Sequence, residues 1–154
     1  MELLLWRHAD AEDGHPDAAL PLTGHGRAQA ERMARWLAPR LPRNLRMIVS
    51  PARRAQETAR ALHRSFETSD ALAPGVDAKS LVAAAGWPDS DRPVLLVGHQ
   101  PTLGEVASKL IEGHKLPWRI GKGALWWLRS KRGKNRGAVL LLALEPEILE
   151  REGK

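Results

Sequence analysis

Two histidines and a pair of arginines follow short apolar segments of the chain. Arg7 and His8 come at the end of the first apolar segment, and His99 comes at the end of another. Arg53 and Arg54 follow a third. An unprotonated imidazole is a nucleophile, and guanidinium groups pair with phosphoryl oxygens through two parallel hydrogen bonds. These residue types therefore indicate chemistry on a phosphoryl group.

The same positions lie where predicted strands end. In an open α/β sheet the carboxyl ends of the strands form the ligand crevice, so side chains that are distant in sequence are expected to converge there. Two imidazoles and two guanidiniums at one edge would repel one another without an anion between them. A tetrahedral phosphoryl group is the natural occupant, and helix N-termini add backbone donors for its oxygens.

Hydrophobic periodicity predicts strands and helices that alternate along the chain. Strand character is found at residues 2–7, 45–49, 93–98, 124–128 and 138–144, of which the last two are expected to pair antiparallel. Helices are predicted from Thr23 as N-cap to the prolines at 39 and 42, after Ser50–Pro51, over 77–85, and from a capping box at 102–105. The pattern predicts one α/β domain at residues 1–146 and a charged C-terminal tail at 147–154.

Length and composition limit the class of protein. The chain has 154 residues, 43% of them hydrophobic, which suits one domain with a sizeable core. The absence of cysteine excludes disulfides, thiolate metal sites and a cysteine nucleophile. The apolar runs are too short to cross a bilayer, and the first residues have no basic leader. We therefore expect a cytoplasmic protein with no membrane association.

The net charge of +6 favours anionic partners. The basic residues are dispersed, however, and only residues 131–136 (KRGKNR) form a dense cluster. Because this cluster contains Gly133 and Asn135 and separates two predicted strands, we interpret it as a hairpin tip rather than a nucleic-acid patch. No nucleic-acid partner is expected.

Four segments in order along the chain resemble the motifs of the histidine phosphatase superfamily, which has the phosphoglycerate mutase-like fold. The segments are 3–11 (LLLWRHADA), 21–23 (PLT) with Gly26, 50–58 (SPARRAQET) and 97–101 (VGHQP). Within the superfamily, the length of the chain resembles that of the small SixA-type phosphohistidine phosphatases. The resemblance covers essentially the whole chain and implies a three-layer α/β/α sandwich with a mostly parallel central sheet.

The resemblance also implies roles for individual residues. His8 is the nucleophile, which forms a covalent phosphohistidine, while Arg7 and Arg54 hold the phosphoryl oxygens and His99 supplies a further donor. Arg54 is chosen over its neighbour because the family pattern has the catalytic arginine directly before Ala55. No metal and no cofactor is implied.

Two further residues flank the histidines. Asp10 and Gln100 could orient a substrate, or they could form hydrogen bonds within their loops. Both alternatives stay open from the sequence.

The chain departs from the superfamily pattern at two places. Ala9 replaces the usual glycine after the nucleophile, which would restrict the backbone if that position required a positive φ. Residues 72–75 (LAPG) have no acid where many relatives that act on small molecules carry a glutamate. An alkoxide leaving group needs a strong acid, whereas a histidine ring leaves as neutral imidazole. The missing acid therefore favours phosphohistidine as the substrate.

The expected partner is a phosphorylated protein, either a phosphohistidine-bearing phosphotransfer domain or a carrier protein, and we expect the enzyme to be a monomer. A second hypothesis is a phosphatase for small phosphate esters, which would need an acid such as Asp10 or Asp77. A third is a non-catalytic phosphate-binding module. The joint presence of His8, both arginines and His99 argues against the third.

Overall fold

A computed structural model describes residues 1–132 and 137–152 of the chain. Most of the hairpin tip predicted at 131–136 lies outside the described residues. The strands are β1 (Glu2–Arg7), β2 (Arg46–Val49), β3 (Glu67–Thr68), β4 (Val94–Gly98), β5 (Leu125–Ser130) and β6 (Ala138–Leu144). The helices are α1 (Gly24–Leu37), α2 (Arg53–Arg60), α3 (Ala78–Ala85), α4 (Thr102–Glu112) and α5 (Pro146–Glu152). The short strand β3 has no counterpart in the sequence prediction.

The strands form one six-stranded sheet in the order β3-β2-β4-β1-β5-β6. The pairs β3/β2, β2/β4 and β4/β1 are parallel, while β1/β5 and β5/β6 are antiparallel. The predicted mostly parallel sheet and its closing antiparallel pair are therefore confirmed. Parallel neighbours reach the same edge together, and the register aligns Arg7 of β1 with Gly98 of β4. The residues that follow these two positions are His8 and His99.

Alternate side chains of the central strands pack on opposite faces of the sheet. On one face, Leu5 and Leu96 lie in a cluster with residues of α3 and α4. On the other face, Trp6 and Val97 pack with residues of α1 and α2. Helices therefore cover both faces, which confirms the three-layer α/β/α arrangement. None of the helices in the described part of the chain is long and apolar enough to span a membrane.

Two predicted helix starts differ in detail from the observed ones. Helix α2 begins two residues later than predicted, with Ala52 as its N-cap, while the Ser50 hydroxyl is close to His99. The capping box predicted for α4 is wrong, since Pro101 is the N-cap and the Thr102 hydroxyl donates to the Val76 carbonyl at 2.8 Å. Burial explains this difference, because the buried Thr102 hydroxyl needs an acceptor and finds it in another loop, which local sequence signals do not reveal.

The end of the described chain is helical where the sequence predicts a charged tail. Helix α5 packs against α1, and the Gln29 side chain of α1 donates to Glu147 at 2.9 Å. Arg32 of α1 lies 3.7 Å from Glu150. Helix α5 is therefore amphipathic: its charged side chains pair with α1, while Leu149 packs against the core. The domain boundary at residue 146 stays a prediction.

Candidate active site

The two histidines lie side by side at the carboxyl edge of the sheet. The His8 backbone N–H donates to the Gly98 carbonyl at 3.1 Å, which continues the pairing of β1 and β4 beyond the last strand residues. The ring centroids of His8 and His99 are 5.1 Å apart. Both residues are buried: His8 is 7% exposed and His99 is 5% exposed. The convergence expected from the strand ends is therefore present.

The His8 ring is held by the main chain. Its Nδ1 lies 2.7 Å from the Ala9 carbonyl oxygen, which can only accept, so Nδ1 carries the proton and Nε2 keeps its lone pair. Burial lowers the pKa of His8 to about 4, helped by Arg54 and Arg7 and opposed by the hydrogen bond to Ala9. The ring is therefore neutral at pH 7, as a nucleophilic imidazole must be.

Ala9 takes an ordinary backbone conformation. Among the described residues other than glycine, only His63 has a positive φ. Ala9 is fully buried, and its N–H donates to the Thr58 hydroxyl at 3.0 Å. The replacement of glycine at this position therefore causes no backbone strain.

His99 contacts a serine that follows the neighbouring strand. Its Nε2 lies 2.7 Å from the Ser50 hydroxyl, while its Nδ1 is buried with no hydrogen-bond partner among the described residues. Burial, together with the nearby His8 and Arg54, lowers the pKa of His99 to about 3. The ring is therefore neutral unless an anion binds beside it.

The two arginines approach the histidines from different elements. Arg7 donates through Nη1 to the Ile120 carbonyl at 3.0 Å, and its Nε is buried without a partner. Burial lowers the pKa of Arg7, with Arg119 and Arg54 as further causes. A buried donor without a partner costs about 1–3 kcal/mol, so an anion at this place would be bound favourably.

Arg54 lines the cavity and Arg53 does not. Arg54 is 8% exposed, whereas the Arg53 side chain is 54% exposed and pairs with Glu57 one turn along the helix. The guanidinium of Arg54 donates twice to Asp17, through Nη1 to the backbone carbonyl at 2.9 Å and through Nη2 to Oδ2 at 3.1 Å. Helix α2 thus directs one arginine of the pair into the site and the other to its surface.

A cavity of about 260 Å³ opens beside these groups. The residues that line it are His8, Ala11, Glu12, Asp13, Gly14, Asp17, Leu20, Arg54 and Lys122. Its wall includes the nucleophile candidate, one arginine and the segment between β1 and α1. The volume is sufficient for a phosphoryl group and part of the group that carries it.

Asp10 and Gln100 have their side chains engaged with their own surroundings. Asp10 accepts from Lys122 at 2.9 Å and from the Thr23 hydroxyl at 2.8 Å, and these contacts lower its pKa. Gln100 accepts from the Gly104 N–H at 2.8 Å and donates to the Trp118 carbonyl at 3.0 Å. These contacts correspond to the loop-bonding alternative that the sequence left open for both residues.

Within residues 1–132 and 137–152, no group of three His, Asp or Glu side chains is arranged to hold a metal ion. Arg54 and Lys122 supply positive charge at the cavity wall, which also carries the carboxylates of Glu12, Asp13 and Asp17. Close to the His8 ring, the buried Nε of Arg7 and Nδ1 of His99 have no partner within the described residues and leave hydrogen-bonding capacity for an anion.

Residues 3–77 match the family model of the histidine phosphatase superfamily (branch 1). The phosphohistidine phosphatase SixA of Escherichia coli is 32% identical over 127 residues, which cover 76% of this chain and 78% of that protein. The chain belongs to the histidine phosphatase superfamily. The SixA-type resemblance seen in the sequence is thereby confirmed.

Other relatives agree with this membership. The phosphohistidine phosphatase SixA homolog of Haemophilus influenzae is 29% identical over 126 residues, covering 71% of this chain and 77% of that protein. A structure of the protein histidine phosphatase SixA in complex with tungstate superposes with a TM-score of 0.78 at 25% identity, covering 97% and 99% of the two chains. The phosphoglycerate mutase-like fold of this histidine phosphatase is therefore confirmed.

Sequence reasoning missed three polar residues of this histidine phosphatase site. Asp17 holds Arg54, Ser50 contacts His99, and Lys122 pairs with Asp10 at the cavity. Ser50 directly follows a predicted strand, so its position was a usable signal. Asp17 and Lys122 lie in irregular segments, where no periodicity shows which way a side chain points.

Proposed function

We propose that this histidine phosphatase hydrolyses phosphohistidine on a partner protein, through a covalent phosphohistidine intermediate on His8. Arg7 and Arg54 bind the phosphoryl oxygens, and His99 adds a donor once the anion raises its affinity for a proton. The observation that carries the proposal is the contact between His8 Nδ1 and the Ala9 carbonyl, which leaves Nε2 unprotonated beside the cavity.

The first step transfers the phosphoryl group to the enzyme. The lone pair of His8 Nε2 forms a bond to phosphorus, and the bond from phosphorus to the leaving nitrogen breaks with its electron pair going to that nitrogen. The proton on Nδ1 stays in place against the Ala9 carbonyl. Buried guanidiniums stabilise the charge that is spread over the phosphoryl oxygens, since their attraction is stronger there than in water.

The second step returns the enzyme to its starting state. A water molecule attacks phosphorus, and the bond from phosphorus to His8 Nε2 breaks. One proton of the water moves to solvent or to a phosphate oxygen, and phosphate leaves. Because Nδ1 is still protonated, His8 departs as a neutral imidazole. The same hydrogen bond therefore prepares His8 as a nucleophile and as a leaving group.

The leaving group decides between substrate classes. A phosphate ester would need an acid to protonate an alkoxide, whereas phosphohistidine releases a neutral ring. Asp10 is occupied by Lys122 and Thr23, and Asp77 caps α3 by accepting from the Ser80 N–H at 2.9 Å. Neither of these carboxylates is available to protonate an ester oxygen, which argues against the small-ester hypothesis.

The proposed partner is a protein that carries phosphohistidine, either a phosphotransfer domain or a carrier protein. The relatives in Escherichia coli and Haemophilus influenzae, phosphohistidine phosphatase SixA and its homolog, support this substrate class. The tungstate in the structure of the related protein supports an oxyanion site. The proposed steps use no metal, and the proposed enzyme acts as a monomer.

Phosphate release from three substrates tests the proposal. The substrates are a phosphohistidine-bearing protein, phosphoserine and a sugar phosphate, each with the wild-type enzyme and with His8→Ala. We expect fast release from phosphohistidine only, reduced at least about 1000-fold by the substitution. When the reaction is stopped without acid, covalently bound phosphate should be detected on the wild-type enzyme and none on the His8→Ala variant.

The matched control is His114→Ala, since His114 is exposed and outside the cavity. It should leave all three rates unchanged. Turnover of the sugar phosphate at a comparable rate would establish the ester hypothesis instead. Phosphate binding without turnover of any substrate would leave a non-catalytic binding module.

A further inference from the structure

Asp17 is a carboxylate at the cavity that the proposed steps do not yet use. It lines the cavity together with His8 and Arg54, and its Oδ2 accepts from Arg54 at 3.1 Å. Its charge is also close enough to His99 to work against the lowering of the pKa of that residue. Asp17 is therefore close enough to interact electrostatically with Arg54 and with His99, which both belong to the proposed catalytic site.

The backbone fixes this carboxylate although the side chain is 64% exposed. Asp17 begins a short 3-10 turn, and its own carbonyl accepts a second hydrogen bond from Arg54. The segment that carries it is closed at its base by a bridge between Ala11 and Leu22, and the Leu22 N–H donates to Glu57 of α2 at 2.8 Å. The hydrogen bonds from Arg54 to Asp17 and from Leu22 to Glu57 thus anchor this segment to α2 and hold Asp17 at the cavity.

One oxygen of Asp17 is left for a ligand. The hydrogen bonds from Arg54 engage Oδ2 and the backbone carbonyl, and none in the described part of the chain engages Oδ1. In Asp10, by contrast, both carboxylate oxygens accept hydrogen bonds from neighbouring side chains. A second buried polar atom near this carboxylate has no partner within the described residues, namely Nδ1 of His99, whose side chain is nineteen-twentieths buried and within electrostatic range of Asp17.

We infer that the Asp17 carboxylate accepts a hydrogen bond from the distal ring N–H of the substrate phosphohistidine and so selects that substrate class. The inference rests on the proposed function. A phosphorylated imidazole has one ring nitrogen bonded to phosphorus and a second that binds a proton. The protonated ring is cationic, and a carboxylate near the phosphoryl site stabilises that form.

The hydrogen bond acts on the first transfer step. When the bond between phosphorus and the leaving nitrogen breaks, its electron pair enters a ring that still carries the distal proton. The ring leaves as neutral imidazole, and no proton moves to or from Asp17. His8 Nε2 supplies the electron pair for the new bond, so atoms and charges balance.

The same geometry discriminates against phosphate esters. The Asp17 carboxylate accepts from the Arg54 guanidinium, so this pairing uses it as a hydrogen-bond acceptor and not as the acid that an ester oxygen needs. It also lies beside Glu12 and Asp13 on the cavity wall, so an anionic leaving group would meet repulsion there. One residue thus favours a cationic ring and disfavours an alkoxide.

The test compares Asp17→Asn with the wild-type enzyme on two probes, phosphohistidine and p-nitrophenyl phosphate. The phenolate leaving group of the second probe needs no proton and has no ring N–H. We expect kcat/KM for phosphohistidine to fall about 10- to 100-fold more than for p-nitrophenyl phosphate, as for the loss of one charge-assisted hydrogen bond. The basic limb of the phosphohistidine pH profile should also move to lower pH.

Asp70→Asn is the matched control, because Asp70 is an exposed acid that also begins a 3-10 turn but is not among the residues that line the cavity. It should change both probes equally and by less than about twofold. Equal losses on both probes in Asp17→Asn, with an unmoved pH profile, would overturn the inference, since Asp17 would then act only by holding Arg54. Wild-type enzyme that turns over p-nitrophenyl phosphate but not phosphohistidine would overturn the proposed function, and this inference with it.

Discussion

The two histidines of the site take their tautomers from different kinds of partner. The Ala9 carbonyl can only accept, so it fixes the proton of His8 on Nδ1. The Ser50 hydroxyl beside His99 already accepts from the Ala52 N–H at 3.2 Å, so its own hydrogen is free to point at Nε2 of the ring. Ser50 thereby favours the tautomer with a proton on Nδ1, the nitrogen that has no partner in the part of the chain that the structure describes.

This arrangement predicts that Ser50→Ala impairs His99 rather than the nucleophile. In the free enzyme the neutral ring loses the hydrogen bond that selects its tautomer, so fewer molecules meet the incoming phosphoryl group with an Nδ1–H already in place. We expect kcat to fall about 3- to 10-fold, in line with the loss of one neutral hydrogen bond. Nitrogen NMR of labelled histidine should show a mixture of tautomers for His99 and an unchanged His8.

Ser80→Ala serves as the comparison, since the contacts of Ser80 with Asp77 lie at the start of α3 and Ser80 does not line the cavity. It should leave the rate and both tautomers as in the wild type. A Ser50→Ala enzyme with full activity and an unaltered His99 signal would show that the hydroxyl has no positioning role.

At the scale of elements, the loop after β1 and the first turn of α1 are in direct contact. Gly26 of α1 lies so close to the backbone of Asp10 that a Cβ would collide with its carbonyl group. The Asp10 carbonyl also accepts from the Thr23 N–H at 3.0 Å, and the Asp10 N–H donates to Gln29 at 2.9 Å. Helix α1 therefore supports the two residues that follow His8.

We predict that Gly26→Ala destabilises the fold and reduces activity together. The added methyl group would push the Asp10 backbone away from α1, at a cost of about 1–3 kcal/mol in the free energy of unfolding, as for other overpacked sites. Since Asp10 is two residues from His8, the displacement should also lower kcat. Urea denaturation and phosphohistidine turnover measure the two effects.

Gly24→Ala in the same turn provides the contrast. A Cβ at Gly24 meets only the end of the flexible Arg27 side chain, so stability should be unchanged or slightly higher. If both alanine variants behaved alike, the contact between α1 and Asp10 would have no special importance.

The elements that could be predicted from the sequence are those with a period or a terminal signal. The apolar runs before Arg7 and His99 were uniform enough to indicate buried parallel strands, and Thr23 was correct as an N-cap. The helix predicted over 77–85 is present, with Asp77 as its N-cap. Because parallel strands end at one edge, the convergence of the histidines followed from these elements alone.

What the sequence did not reveal depends on side chains that leave their own segment. Thr102 satisfies a carbonyl in another loop, Gln100 accepts at the start of α4 in place of a capping box, and Asp17 reaches Arg54 on α2. These contacts join residues between 4 and 37 positions apart without a repeating pattern. A local sequence window has no signal for them.

At the scale of the whole molecule, the site is a region where buried groups stay neutral beside several cations. His8 and His99 have pKa values lowered to about 4 and about 3, chiefly by burial. Arg7, Arg54 and Lys122 add positive charge around them. An unfolded chain has none of these effects, so its histidines titrate near a pKa of about 6.5.

The native state should therefore lose stability as the pH falls. Between pH 6.5 and 4 the unfolded chain takes up protons on these two histidines while the folded chain does not, so the free energy of unfolding falls by about 1.4 kcal/mol per pH unit for each ring. The contribution to stability is fully present above pH 6.5 and declines toward pH 4. Urea denaturation at intervals over this range measures the slope.

Variants and phosphate separate this effect from general acid denaturation. His99→Gln should flatten the slope by about half, because one of the two neutral rings is removed, whereas His114→Gln at an exposed position should leave it unchanged. Inorganic phosphate should raise stability most strongly at the acidic end, because a bound anion favours protonated His99. A slope that is the same in all three proteins, with or without phosphate, would mean that the titrating groups lie elsewhere. A slope that depends on His99 and on phosphate would tie the acid sensitivity of the whole fold to the anion site at the carboxyl edge of its sheet.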